Sequence, residues 1–220
     1  MQDRKRNEIS ETKAPTGEKI NVPHQYWEDL KNEDLIRLCR QLHVVAIPPN
    51  SFILSSLGRE ILVDKTEGCL KSRKSGSWER IDHPLLELLV LVYTLKAGPD
   101  SIKDEIIGVQ ELKDSHFFQG PHEFRLEPLL ARYGFDPKGF KDAAEFLGGQ
   151  PINLADISYR IPAFPKVPLY YLFWEGDEEF EPRITVLFDR SVEKHLSADA
   201  IWGLVNLVSD ALLKVPAAPF

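Results

Sequence analysis

The segment that most constrains this chain is residues 82–96, DHPLLELLVLVYTLK. Asp82 suits an N-cap, Pro84 sits in the first turn and Ala97-Gly98-Pro99 ends the run, so the spacing predicts a helix. That helix is apolar nearly all round and has no stripe to give to water. Other elements must therefore wrap it. With 220 residues, 43% hydrophobic and 28% charged, the chain can supply them within one generous domain.

Those elements can be read on either side. Residues 24–42 carry Tyr26, Trp27, Leu30, Leu35, Ile36, Leu38, Cys39 and Leu42 at helical spacing, as one helix or as two broken near Lys31-Asn32. Pro48-Pro49-Asn50 ends this part. The runs 52–54, 59–63 and 68–71, punctuated by Gly58 and a turn at 64–68, read as an antiparallel meander. After a turn-rich stretch at 100–121, helices are expected over 123–133 and from Asp136-Pro137 to Gly148-Gly149, with Asp136 as N-cap. Strands follow at 157–161, 169–174 and 183–188. Ser197 caps a last helix to Lys214, with Ile201, Leu204, Val205, Val208 and Leu212 on its buried stripe. Without regular βαβ alternation the fold class is α+β: antiparallel sheet segments packed with about five helices. A single domain over 22–220 follows a flexible, charged leader at 1–21.

Charge and cysteine usage narrow the function classes. A net charge of -7 leaves only short basic runs at 4–6 and 71–74, so no nucleic-acid partner is expected. The polar N-terminus does not read as a secretory signal. The longest apolar run, 85–95, is interrupted by Glu87 and is about half of what crosses a bilayer, so no membrane association is expected. Cys39 and Cys69 offer no disulfide framework, which suits a reducing cytoplasm.

No glycine-rich phosphate loop, nucleophile elbow, zincin helix or paired-cysteine zinc spacing occurs. The densest chemical feature is 173–182, where Glu175, Asp177, Glu178, Glu179 and Glu181 crowd the link between two strands. Such oxygens suit a hard cation, and mutual repulsion can create an acid or base. A solvated loop guarding a strand edge is the structural alternative. His83 and Glu87 lie one helical turn apart, with Thr94 on the same stripe. They read either as a metal- or proton-sharing pair or as the water-facing side of the helix. His116 and His122 bracket Phe117-Phe118-Gln119-Gly120-Pro121 and could ligate a metal or a tetrapyrrole, although no third ligand stands at a recognised spacing. His24, His43 and His195 stand alone. Tyr170, Tyr171, Phe173 and Trp174 divide between the two faces of one strand, so one face is core and the other is a candidate platform for a planar ligand or a partner. Gly176 reads as a positive-φ turn residue, and Asp156 and Asp189 as caps of neighbouring amides.

The combination of Leu147-Gly148-Gly149, Asp156, Phe164-Pro165-Lys166-Val167-Pro168-Leu169, Trp174-Glu175-Gly176-Asp177-Glu178-Glu179-Phe180, Leu187-Phe188-Asp189 and His195-Leu196 resembles the domain-of-unknown-function 3786 family of anaerobic bacteria and archaea. Tyr26-Trp27-Glu28-Asp29-Leu30 and the 85–95 helix are similar to it too. The resemblance implies a setting beside corrinoid and one-carbon enzymes. Some relatives carry a cysteine-rich iron–sulfur module; with two cysteines, no cluster of this chain's own is expected.

The reading that follows is a non-catalytic accessory protein that binds a ligand or a partner enzyme through residues 169–189, its sharpest form holding a corrinoid or haem. The candidate contacts are Tyr171, Trp174, Asp177, Glu178, Glu179, Phe180, Asp189, His83, Glu87, His116 and His122. One rival is an enzyme in which Asp177, Glu178, Glu179 and Asp189 hold a divalent cation or act as acid and base. Another is a plain interaction module whose acidic loop meets a basic partner.

Overall fold

A computed structural model describes residues 20–215, so most of the expected leader lies outside the described residues. The chain begins with α1 (His24–Asn32) and α2 (Leu35–Leu42), the broken pair allowed by the sequence. Asp34 makes the break, accepting a hydrogen bond from the Arg37 backbone N–H as the new N-cap. A five-stranded meander follows: β1 (Val45–Ile47), β2 (Ser51–Ser56), β3 (Arg59–Asp64), β4 (Cys69–Lys74) and β5 (Ser77–Arg80), in that order across the sheet. Its middle three strands are those that the sequence predicts. The edge strands carry no such signal, because β1 is three residues long and β5 carries Glu79 and Arg80 into solvent.

The central helix is α3 (Pro84–Lys96), with Val90, Leu91 and Tyr93 fully buried. Its N-cap is His83 rather than Asp82: Nδ1 accepts the Leu86 backbone N–H at 3.2 Å. Thr94, expected on a wet stripe, is buried and donates to the Val90 carbonyl. The turn-rich stretch contains β6 (Ile106–Ile107) and three short 3-10 turns, followed by α4 (Glu127–Tyr133) and α5 (Pro137–Phe146), the latter capped by Asp136 as expected.

The second sheet adds β7 (Gln150–Pro151), β8 (Ile157–Phe164), β9 (Val167–Trp174) and β10 (Arg183–Asp189), all antiparallel in the order β6-β10-β9-β8-β7. Tyr171 of the central strand faces Tyr159 on one side and Val186 on the other. The last helix, α6 (Ala198–Lys214), lies on that face: the Tyr171 hydroxyl donates to the Val205 carbonyl and sits 3.0 Å from Ser209 Oγ. Ser197 stands at its N-cap without a side-chain hydrogen bond. The described chain is thus α+β, with six α-helices and two antiparallel sheets of five strands.

Two contacts join the sheets at the end of β2. Ser56 Oγ donates to the Ala163 carbonyl at 2.7 Å, and the Leu57 backbone N–H donates to the Pro162 carbonyl. Among the described residues no helix is long and apolar enough to cross a membrane.

Candidate functional site

The Leu57-Gly58 turn between β2 and β3 has φ of 51° and 69°, the left-handed pair that a two-residue hairpin favours. Gly58 meets Gly148, just beyond α5, whose φ is also positive at 75°. A Cβ on Gly148 would stand 3.0 Å from Gly58 Cα, and one on Gly58 would stand 3.1 Å from Gly148 N. Two glycines thus let one backbone cross another, and the crossing ties the first sheet to the end of α5.

Beside this crossing lies a cleft of about 480 Å3. Its walls come from four places: Leu57 and Ile61 of the first sheet, His83 and Leu86 at the start of α3, Phe146 in the last turn of α5, and Leu207 with Ala211 on α6. Arg59, Glu60, Asp210 and Lys214 are the charged groups among its lining residues. Arg59 leans over the Phe146 ring, 5.6 Å from its centroid, and Glu60 reaches Arg73 at 4.0 Å. The volume falls within the range of small-molecule sites, roughly 300–1,000 Å3.

His83 is the polar fixture of the cleft. Because a backbone N–H can only donate, Nδ1 must offer a lone pair, and the neutral ring carries its proton on Nε2. Burial lowers the His83 pKa, the Lys214 ammonium lowers it further, and Asp210 and Asp82 pull partly the other way. Among the described residues no hydrogen bond reaches Nε2.

The expected constellations are otherwise dispersed. Glu87 does not share a proton with His83; it accepts the Trp27 indole N–H at 2.7 Å, fastening α1 to α3. Tyr171 is fully buried in the core, so it offers no platform, and Tyr170 on the opposite face is buried too. Trp174 is half-buried beneath the Arg183 guanidinium, 4.2 Å from the ring centroid. His122 stacks on Phe117 at 4.3 Å and meets the Trp202 ring edge-on, which makes it an aromatic packing residue, while His116 is exposed.

Asp177 lies in the loop before β10, and Asp189 ends the strand. Six strand steps of about 3.3 Å separate Arg183 from Asp189, so the two carboxylates cannot share an ion. Asp177 Oδ1 instead accepts the backbone N–H groups of Glu179 and Phe180, both at 2.8 Å, and these bonds lower its pKa. Glu178 and Glu179 point to solvent, and Phe180 is 70% exposed. Gly176 does not have a positive φ; a Cβ there would stand 2.7 Å from Pro182 Cδ. Asp156 does cap an amide, that of Glu175. Among the described residues no group of three or more His, Cys, Asp or Glu side chains converges closely enough to hold a metal ion.

The cleft residues Leu57, Arg59, Phe146, Leu207, Ala211 and Lys214 were not singled out in the sequence. One signal was available: Leu207, Ala211 and Lys214 recur at helical spacing beside the expected stripe of α6. The other walls belong to remote segments, and nothing in the linear sequence joins them.

A family model described as Domain of unknown function (DUF3786) matches residues 34–211. No curated protein and no solved structure matches the chain.

Proposed function

This chain belongs to the DUF3786 family, and from its own geometry we propose that it is a binding protein that holds a small, largely apolar molecule in the cleft between α3, α6 and the first sheet. The observation that carries this reading is a ligand-sized cleft walled mainly by aliphatic and aromatic side chains, with the oriented imidazole of His83 among its lining residues. The binding role stays that of a non-catalytic accessory protein, and its centre moves from residues 169–189 to the cleft. A corrinoid or haem ligated by His83 is the less favoured version. Ligation needs a lone pair on Nε2, and freeing it gives up a helix cap worth about 1 kcal/mol.

Anilinonaphthalene sulfonate tests the cleft. Its fluorescence should rise on binding the wild-type protein and fall back when Ala211→Trp or, from the facing helix, Leu86→Trp fills the space. Equal fluorescence from all three folded proteins would remove the reading.

A second reading is favoured by a separate observation, the display of Phe180 (70% exposed) and Phe135 (95% exposed). A Cβ on Gly134 would stand 3.2 Å from Pro182 Cγ, so the α4–α5 junction that carries Phe135 abuts the base of the acidic loop. Two bare aromatic rings beside five carboxylates suit a partner protein that offers an apolar pocket rimmed by Lys and Arg. A second copy of the chain or an anionic membrane would bring like charges together.

A further inference from the structure

We infer that the cleft selects its ligand by an oxygen acceptor, a carbonyl or carboxylate head, which receives the Nε2–H of His83 while the apolar body lies against Leu57, Leu86 and Phe146. The inference rests on the cleft reading above and adds the chemistry of the head group. His83 cannot turn to suit any ligand. Its Nδ1 is committed to the Leu86 amide, so the opposite edge of the ring presents a donor and not a lone pair. An ammonium or other donor head would place hydrogen against hydrogen there. The charges nearby leave the head's own charge open: Lys214 and Arg59 are matched in number by Asp210 and Glu60. Lys214 and Asp210, one turn apart on α6, make no ion pair with each other or with another described residue. A carboxylate would draw on Lys214 and a carboxamide on His83 alone, so the shared chemistry is the accepting oxygen.

Three ten-carbon probes separate the possibilities: decanoate, decanamide and decylamine, measured by displacement of the naphthalene dye. Decanoate and decanamide should displace it, and decylamine should do so at least about tenfold more weakly, because its ammonium offers the half-buried Nε2–H no acceptor. His83→Asn keeps a capping oxygen for Leu86 but withdraws the Nε2–H, and should weaken decanamide by about fivefold. His83→Ala removes cap and donor together and separates loss of stability from loss of recognition. Decanoate tighter than decanamide, with the difference abolished in Lys214→Gln, identifies an anionic head; equal binding identifies a neutral carbonyl. Decylamine binding as tightly as decanamide, or an unaffected His83→Asn, overturns the head-group inference and leaves the cleft standing. A dye that never enters the cleft overturns both.

Discussion

The hairpin of β9 and β10 has two ends with opposite chemistry. At one end the loop of Glu175, Asp177, Glu178, Glu179 and Glu181 stands in water, its backbone folded around the Asp177 carboxylate. At the other end Lys166, Asp189 and His195 are each 1% exposed. There the Lys166 ammonium donates to the carbonyls of Gln41 and Gly98, at 3.2 and 2.6 Å, drawing the ends of α2 and α3 onto the β8–β9 turn. Burial opposes the charge of Asp189, but hydrogen bonds from the Ser191 hydroxyl and the Lys103 and Ser191 amides outweigh it and hold its pKa below the usual range. Among the described residues neither nitrogen of His195 has a hydrogen-bond partner. Charge in water makes local turns and costs little. The same groups in the interior tie remote segments together, at a large desolvation cost.

The largest expected effect comes from acidifying the dry end. Burial, then the neighbouring Lys166 ammonium, push the His195 pKa down to about 4, against the pull of Asp100 and Asp189. An unfolded histidine titrates near 6.5. The unfolded chain therefore takes up its proton first, and stability present above pH 6.5 is lost as the pH falls toward 4. The loss from this group alone should be about 2 kcal/mol at pH 5 and about 3 kcal/mol at pH 4. Urea titrations of the wild type and of His195→Gln across that window measure it as the difference between the two curves. Parallel curves would mean that His195 is solvated, and the contrast between the two ends would fail. Lys166→Met sharpens the point: with the ammonium gone, the His195 pKa read by NMR should rise.

The wet end should respond on a smaller scale. In Gly176→Ala the new methyl collides with Pro182 Cδ and N, at 2.7 and 2.9 Å. The loop must then open, at about 1 kcal/mol. Because the collision lies far along the hairpin from the cleft, dye binding should stay at the wild-type level while amide protection of Glu179 and Phe180 falls. Loss of dye binding would show that the two regions are coupled through the sheet.

How far the sequence could be read follows the same division. The helices, the meander and the C-terminal hairpin were legible because periodicity and caps are local, as with Asp136 before α5. The acidic loop drew attention because its carboxylates are consecutive, yet those that make bonds serve the turn. Lys166 stands far along the chain from Asp189 and His195, and only the packing of the β8–β9 turn against the end of β10 and the segment after it brings them together. The cleft was hidden for the same reason. His83 was singled out, but as a partner of Glu87, since its bond to the Leu86 amide depends on which residue caps the helix. Gly58 and Gly148 each read as a turn, while their crossing is a tertiary fact.

The smallest expected effect decides whether the wet end is only wet. Phe180 and Phe135 bury little of their rings, so truncating either to alanine should change stability by less than about 0.5 kcal/mol. A surface aromatic that contributes nothing to folding yet is held on a loop fastened by Asp177 has the properties of a binding anchor. Photo-crosslinking with benzoylphenylalanine at 180 in the native host, followed by mass spectrometry of the joined peptides, reads what it meets. A partner peptide rich in Lys and Arg, lost in the Glu178→Lys, Glu179→Lys variant and weakened by salt, fits the docking reading. Crosslinks that survive the charge reversal, or that join only random surfaces, would reduce the loop to a solvated turn. A stability loss of 2 kcal/mol or more in Phe180→Ala would do so too, because the ring would then be packing against its own fold.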